Sequence, residues 1–206
     1  MKSIGIVDVG IGNLGSLKAA VYELGFDVCL VDTPAILSEC DSLILPGVGS
    51  FAHGMQSIEY ATLVEPLLDH VAAGKPILGI CLGMQLLFSD GNEGFECAGL
   101  GFLPGKVRRF PDRPSLHLPH VGWNNVVRTQ QHPLWDGIKL GVDFYFVHSY
   151  RVECDSSFHI GKTNYGEDFP SMVGKANVVG VQFHPEKSQR SGLRLLENFC
   201  MWDGRC

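Results

Sequence analysis

A cysteine between two glycines is the clearest chemical signal in this sequence. It lies in Gly79-Ile80-Cys81-Leu82-Gly83, after a short apolar run typical of a buried parallel strand and before residues 82–88, which are predicted to start a helix. A side chain at such a strand-to-helix turn is exposed on a strained backbone, and we expect the flanking glycines to leave room for a substrate. Because the cysteine thiolate is a strong nucleophile, Cys81 is predicted to attack a carbonyl carbon. A structural cysteine beside packing glycines is the competing interpretation.

A base and an acid that orients it lie together towards the end of the chain. In Val181-Gln182-Phe183-His184-Pro185-Glu186, strand alternation would place Gln182, His184 and Glu186 on one face. Glu186 would then set the tautomer of His184 and leave the other ring nitrogen for Cys81. A His-x-Glu pair is a weak signal alone, but after a cysteine elbow it predicts a nucleophile, a base and an orienting carboxylate.

Acyl transfer also requires donors for the oxyanion. The backbone N–H of Leu82, directly after the nucleophile, is one candidate. The turn Pro46-Gly47-Val48-Gly49 is predicted to supply the second donor, from Val48 or Gly49, because glycines permit a positive φ and a peptide flip. Gln85 lies one helical turn after Cys81 and is therefore a candidate contact for the substrate.

A glycine-rich loop near the start of the chain has a second interpretation. Gly10-Ile11-Gly12-Asn13-Leu14-Gly15 has the spacing of a dinucleotide-binding loop, but the expected acidic residue is only approximated by Asp32. We therefore interpret it as a packing or partner-contact loop.

The remaining histidines carry weaker signals than His184. His120 and His148 lie in motif-like surroundings but have no spaced carboxylate, so neither is predicted to be the base. We expect His53, His70 and His159 on the surface or in loops, and His132 at the start of a turn.

Alternating strands and helices are predicted to position these groups. Strands are expected at residues 3–7, 26–31, 42–45 and 76–80, with a helix from Leu14 to Leu24 that Gly25 stops and another from a Thr62 cap to Ala73. This order predicts an α/β fold with a central, mostly parallel sheet flanked by helices, whose ligand site lies at the carboxyl edge of the strands.

The second half of the chain is expected to extend the same sheet. Residues 89–119 are rich in turn formers, short strand-like runs follow at 125–127, 144–147 and 178–183, and a helix covers about 191–200. We interpret these strands as antiparallel additions. No linker or repeat stands out, so residues 1–206 are predicted to form a single domain.

Composition narrows the partners and the compartment. The chain has 206 residues, 45% apolar and 18% charged, with a net charge of −6, which argues against nucleic acid as the main partner. Its seven cysteines show neither disulfide-framework nor zinc-ligand spacing. We expect a cytoplasmic protein without a membrane segment, a metal or a cofactor.

The motifs together resemble those of a known family. The segments that carry the resemblance are Gly10-Ile11-Gly12-Asn13-Leu14, Pro46-Gly47-Val48-Gly49-Ser50-Phe51, Gly79-Ile80-Cys81-Leu82-Gly83-Met84-Gln85, Pro119-His120-Val121-Gly122-Trp123-Asn124, His148-Ser149-Tyr150 and Gln182-Phe183-His184-Pro185-Glu186-Lys187-Ser188. They resemble the class I (triad) glutamine amidotransferases, which have a flavodoxin-like α/β fold, and among these the glutaminase subunits of imidazole glycerol phosphate synthase. Val9 and Ser50 depart from the commonest pattern of that group, outside the triad.

The resemblance implies a mechanism and a set of roles. Cys81, His184 and Glu186 would hydrolyse L-glutamine through a thioester, with Val48 or Gly49 and Leu82 at the oxyanion. Gly49, Gln85, Ser149 and Tyr150 would hold glutamine. Ammonia would pass to a (β/α)8 barrel synthase subunit of histidine biosynthesis, contacted by residues at family interface positions: Asn13, Trp123, Tyr145 and Lys187.

Three alternatives stay open at this stage. A paralogous subunit that supplies ammonia for the amidation of a surface sugar would keep the same triad. Another triad amidotransferase is disfavoured by Pro46-Gly47-Val48-Gly49. A stand-alone cysteine hydrolase with an elbow would not need the segment from Gln182 to Glu186.

Overall fold

The computed structural model describes residues 2–114 and 116–205. Its strands are β1 (Ile4–Val7), β2 (Val28–Val31), β3 (Ser42–Gly47), β4 (Ile77–Cys81), β5 (Phe88–Gly91), β6 (Cys97–Ala98), β7 (Leu103–Arg109), β8 (His120–Asn125), β9 (Val127–Arg128), β10 (Asp143–His148), β11 (Tyr150–Glu153), β12 (His159–Asn164), β13 (Asp168–Lys175) and β14 (Val178–Val181). Its α-helices are α1 (Leu14–Glu23), α2 (Pro34–Ser38), α3 (Phe51–Tyr60), α4 (Val64–Ala72), α5 (Leu82–Leu86) and α6 (Gln189–Met201).

An eight-stranded sheet in the order β2-β1-β3-β4-β14-β13-β12-β9 forms the centre of the structure. The five strands from β2 to β14 run parallel, and β13, β12 and β9 are antiparallel additions. The predicted α/β fold with a mostly parallel central sheet is therefore confirmed. The carboxyl ends of β3, β4 and β14 meet at one edge.

The prediction that residues 178–183 form an antiparallel addition is wrong. β14 runs parallel to β4, with Val181 opposite Ile80, and every residue of β14 is buried. A continuous apolar run buried on both faces is the usual pattern of a central parallel strand. This placement puts the residues that follow β14 beside Cys81.

Two smaller sheets contain the other six strands among the described residues. β11-β7-β5-β6 form a four-stranded sheet and β10 pairs with β8, so the runs near 125 and 144–147 do not extend the central sheet as expected. Of the run predicted at 125–127, Val127 does join the central sheet, because it lies in β9, which pairs with β12. In the turn-rich segment from 89 to 119, β5 and β6 pair with each other and β7 pairs with the distant β11, a partner that local composition does not reveal.

Several predicted boundaries also need correction. Thr62 does not cap a helix: its φ is 57° and α4 begins at Val64. The helix after the elbow ends at Leu86. Helices α2 and α3 were missed, since α2 has only five residues and α3 follows directly on the Pro46 to Gly49 turn.

The apolar core lies on both faces of the central sheet. Strand alternation sends Ile44 to one face and Leu43 and Leu45 to the other, and all three are fully buried. Two histidines expected on the surface also lie inside: the rings of His70 and His159 contact the carbonyl oxygens of Pro76 and Cys154. A buried polar ring with a partner is tolerated in a core.

Candidate active site

Cys81 ends β4 in a strained conformation. Its φ is 56° and ψ is −111°, and α5 begins at the next residue. A non-glycine residue rarely adopts a positive φ, and at a strand-to-helix turn such strain projects the side chain above the sheet. The predicted elbow is therefore present at Cys81.

The glycines around Cys81 allow close backbone packing. A Cβ at Gly83 would lie 1.7 Å from the carbonyl oxygen of Leu45, and one at Gly79 would lie 2.6 Å from that of Gly83. The expectation that these glycines leave room for a substrate is thus wrong. Without side chains there, α5 sits directly against β3 and β4 and holds the elbow in place.

A cavity opens above Cys81 and collects most of the predicted site residues. Its walls are formed by Val48, Gly49, Cys81, Leu82, Gln85, Glu93, Pro119, Val147, His148, Ser149, Tyr150 and His184. The thiol is 7% exposed and faces the carbonyl oxygen of Val147 at 3.9 Å. The cavity is therefore a site where a small substrate can meet the sulfur away from bulk water.

His184 and Glu186 contact each other through a turn. Nδ1 of His184 lies 2.8 Å from Oε1 of Glu186, and both side chains are 4% exposed. Because β14 ends at Val181 and residues Pro185–Lys187 form a 3-10 turn, strand alternation is not what aligns the pair. The backbone N–H of His184 donates to the carbonyl of Tyr145 at 2.8 Å and so anchors the turn.

The surroundings of His184 favour its charged form. Burial lowers the pKa of His184, but the neighbouring Cys81 and Glu186 outweigh burial and raise this pKa to about 10. Nε2 of His184 is buried without a hydrogen-bond partner among the described residues. A buried donor without a partner is energetically costly. This nitrogen would therefore gain a favourable hydrogen bond from an acceptor that enters the cavity.

We predict a pH-dependent loss of stability on replacing Glu186 by Gln. A raised histidine pKa stabilises the fold below about pH 6.5, and this stabilisation disappears as the pH rises through about 10. Glu186→Gln should therefore lower the free energy of unfolding by about 1.5–3 kcal/mol near pH 6. The difference should shrink steadily towards pH 10, as measured by urea unfolding across this range.

The control for this prediction is Glu23→Gln, which removes an exposed carboxylate on α1. It should change the free energy of unfolding by less than about 0.5 kcal/mol at every pH. If the loss of unfolding free energy in Glu186→Gln stayed constant or grew with pH, the Glu186 carboxylate would not be stabilising an imidazolium.

The predicted oxyanion turn lies beside Leu82 but one of its amides points elsewhere. A Cβ at Gly47 would lie 2.9 Å from Cβ of Leu82, so the turn and the elbow are in close contact. The N–H of Val48 donates to the carbonyl of Ile11 at 2.5 Å, in the glycine-rich loop. Gly49 has a φ of 108°, which favours glycine. In this conformation the N–H of Val48 is already hydrogen-bonded to the glycine-rich loop and cannot donate into the cavity.

Glu93 is a polar residue of the cavity that the sequence analysis missed. It is the one carboxylate among the residues that line the cavity around Cys81, within the described part of the chain. Burial raises the pKa of its carboxyl, while a hydrogen bond from the backbone of Phe51 opposes the shift. Its position in a turn between β5 and β6 gave no local signal, because only the fold of the second sheet brings it to Cys81.

A chain of side chains connects β8 to the far wall of the cavity. Nδ2 of Asn124 lies 3.2 Å from Nε2 of His120, Nδ1 of His120 lies 3.0 Å from Nε2 of His148, and Nδ1 of His148 lies 2.7 Å from the carbonyl of Tyr150. A carbonyl only accepts, so His148 carries its proton on Nδ1 and His120 must donate to it. Both rings are then neutral donors and acceptors.

Burial keeps these two histidines uncharged. It lowers the pKa of His120 to about 4 and that of His148 to about 3. The rings pack among aromatic side chains, with His120 stacked on Tyr165 at 3.9 Å between ring centroids. Their geometry holds the backbone of Tyr150 in place and gives neither ring a carboxylate partner.

The residues predicted at a partner interface form two groups. Trp123 is 48% exposed and meets Tyr145 edge-on at 6.1 Å, and the ammonium of Lys187 lies 5.7 Å from the centre of the Tyr145 ring. Asn13 lines a small cleft with Val48, His184 and Glu186. The surface around the elbow thus combines an exposed aromatic cluster with the glycine-rich loop.

Residues 2–114 and 116–205 offer neither a metal-binding cluster nor a membrane-spanning helix. They contain no cluster of three or more histidine, cysteine or acidic side chains suited to a metal ion. No helix within these ranges has the length and apolarity needed to cross a membrane.

Comparison with known proteins places this geometry in a family. The model of the family described as glutamine amidotransferase class-I matches residues 5–202. The chain belongs to this family. Two crystal structures, described as a glutamine amidotransferase and as a glutamine amidotransferase from Thermotoga maritima, share the amidotransferase fold at 19% and 18% identity, with TM-scores of 0.74 and 0.64. They cover 95% of this chain in each case, and the chain covers 96% and 81% of them.

Relatives of higher sequence identity are named as HisH subunits of imidazole glycerol phosphate synthase. The chain is 47% identical over 200 residues to the imidazole glycerol phosphate synthase subunit HisH of Symbiobacterium thermophilum, covering 97% of this chain and 93% of the relative. It is 44% identical over 197 residues to the subunit HisH 1 of Campylobacter jejuni, covering 95% of this chain and 98% of the relative.

Proposed function

We propose that this amidotransferase is the glutaminase subunit of an imidazole glycerol phosphate synthase. It hydrolyses L-glutamine to L-glutamate and ammonia, and the ammonia is used by a (β/α)8 barrel subunit in histidine biosynthesis. The observation that carries the proposal is the strained Cys81 in one cavity with His184, whose ring is held by Glu186. The 47% identity to a HisH subunit supports the identity of the acceptor. The cytoplasmic location expected from the sequence stays a prediction.

The proposed reaction has two halves. The Cys81 thiolate attacks the side-chain amide carbon of glutamine, and the His184 imidazolium donates its proton to the leaving nitrogen, so ammonia departs and a glutamyl thioester remains. Neutral His184 then takes a proton from water, which attacks the thioester carbon and releases glutamate and the thiolate. Glu186 keeps the ring oriented and stabilises its charge in both halves.

The lining of the cavity supports a single pose for glutamine. Glu93 would accept hydrogen bonds from the α-ammonium group, and burial strengthens such a charge pair. Gly49, Gln85, Ser149 and Tyr150 would hold the remaining polar atoms, partly through their backbone. The reacting amide would then lie over Cys81, with Leu82 and the Pro46 to Gly49 turn as oxyanion donors.

The Val48 amide supports control by the partner subunit. Because its N–H is bonded to Ile11, the oxyanion has one donor fewer until the peptide rotates. Asn13, close to this turn, belongs to the proposed interface, as do Trp123, Tyr145 and Lys187. Docking of the barrel against the loop would release the Val48 amide.

We expect the isolated subunit to be a slow glutaminase that its partner activates. Loss of one oxyanion donor costs about 100- to 1,000-fold in rate, so the barrel subunit and its nucleotide substrate should raise glutamate release by about 100-fold or more. The test is to co-purify the two subunits and measure glutamate release with and without that nucleotide. Absence of glutamate release in every combination, or a rate unaffected by the partner, would contradict the proposal.

A further inference from the structure

The side-chain amide of Gln182 contacts the sulfur of Cys81. Its Nε2 lies 3.7 Å from Sγ, and the residue is fully buried. We propose that Gln182 is a further functional residue of this site, whose N–H donates to the Cys81 thiolate and holds it ready for attack. This inference rests on the proposed function, because it assumes that Cys81 is the nucleophile.

A single backbone carbonyl determines how the Gln182 amide is oriented. The carbonyl of Tyr150 only accepts, so the Gln85 atom 3.2 Å from it must be the amide nitrogen. The same nitrogen lies 3.0 Å from Gln182, and the Gln182 atom that it meets must therefore be the carbonyl oxygen Oε1. The Gln182 nitrogen is left facing Cys81.

The backbone around Gln182 gives this contact a rigid frame. Gln182 directly follows β14, whose Val181 is in register with Ile80, the residue before Cys81. The N–H of Gln182 donates to the carbonyl of Ser171 at 2.9 Å. The amide and the sulfur thus project from the ends of two adjacent parallel strands, and no rearrangement is needed to bring them together.

The chemistry of sulfur explains why a donor at this position matters. A neutral thiol accepts hydrogen bonds weakly, whereas a thiolate gains a charge-assisted bond. The donor therefore favours the form of Cys81 that attacks glutamine and the form that leaves when the thioester is hydrolysed. Cys81 is 7% exposed, so water supplies little of this stabilisation.

Alkylation of Cys81 by iodoacetamide tests the proposal without glutamine. In Gln182→Met, which keeps the length of the side chain but removes the donor, alkylation of Cys81 at pH 7 should slow by about ten-fold or more. Mass spectrometry of the modified peptides resolves Cys81 from the partly exposed Cys97, whose rate should not change. The matched control is Gln130→Met, at an exposed glutamine on the surface.

A second variant covers the case in which Gln182→Met does not fold. Gln182→Glu presents a hydroxyl donor when its carboxyl is protonated and a repelling charge when it is ionised. Its alkylation rate, relative to that of the natural protein, should therefore fall as the pH rises from 5 to 8.

Two results would overturn the role of Gln182. One is alkylation of Cys81 at the natural rate in a folded Gln182→Met variant. The other is an alkylation rate of Gln182→Glu, relative to that of the natural protein, that does not depend on pH. Failure of the proposed function has a different signature, since the natural protein would then release no glutamate from glutamine with or without its partner, whatever the alkylation rates are.

Discussion

Replacing Cys81 by alanine is expected to abolish glutamine hydrolysis, with a loss of at least about 10,000-fold. The thiolate is the only group of the protein that bonds to the substrate carbon in the proposed reaction, so without it the protein would contribute oxyanion donors and binding alone. The fold should persist, because the change removes a single atom, whose hydrogen-bond contacts with Gln182 and Val147 are long, at 3.7 and 3.9 Å. The measurement is glutamate release by the subunit together with its proposed barrel partner.

The complex provides an internal check on this variant. With ammonium salt in place of glutamine, the complex that contains Cys81→Ala should still form the product of the barrel subunit, because ammonia then bypasses the hydrolysis step. Cys97→Ala is the matched control, since Cys97 is partly exposed and lies outside the cavity. Glutamate release that survives in Cys81→Ala would assign the nucleophile to another residue.

His184→Asn is expected to cost almost as much, about 1,000- to 10,000-fold in kcat/KM. The asparagine amide is far less basic than imidazole, so it cannot take a proton from the thiol or from water. It also cannot protonate the leaving nitrogen. The residual rate should climb with pH, because hydroxide can then remove the thiol proton. A pH profile of glutamate release at saturating and at low glutamine measures both effects.

The control for His184→Asn is His70→Asn. His70 is also a buried histidine whose ring contacts a backbone carbonyl, but it lies in α4, away from the cavity. This variant should reduce stability and leave kcat/KM within a few-fold of the natural value. If His70→Asn and His184→Asn lost activity equally, the effect of His184 would be structural rather than chemical.

Much of the fold and the main catalytic residues could be predicted from local sequence. The four parallel strands up to the elbow, together with α1 and most of α4, follow from apolar periodicity and from glycine positions, which depend on neighbouring residues only, whereas α2 and α3 do not. The elbow was predicted from five consecutive residues, Gly79 to Gly83. His184 and Glu186 were paired by their spacing, although a 3-10 turn rather than a strand brings them together.

Other features of the site could not be derived in this way. Gln85 and Gln182 are 97 positions apart, and Gln182 and Cys81 are 101 apart, so only the pairing of β14 with β4 makes them neighbours. Glu93 lines the cavity from the connection between β5 and β6, two strands of the four-stranded sheet. The hydrogen bond from the Val48 amide to Ile11 depends on the contact between two loops that follow different strands, β3 and β1.

The sequence by itself thus predicted which residue attacks and which acid and base are available to it, because these predictions depend on residue type and short spacing. Only the tertiary structure decided which groups surround the sulfur, which way the Gln182 amide points and whether the oxyanion amide is free. These properties arise from contacts between distant segments, and their hydrogen-bond directions follow from buried carbonyl groups that can only accept.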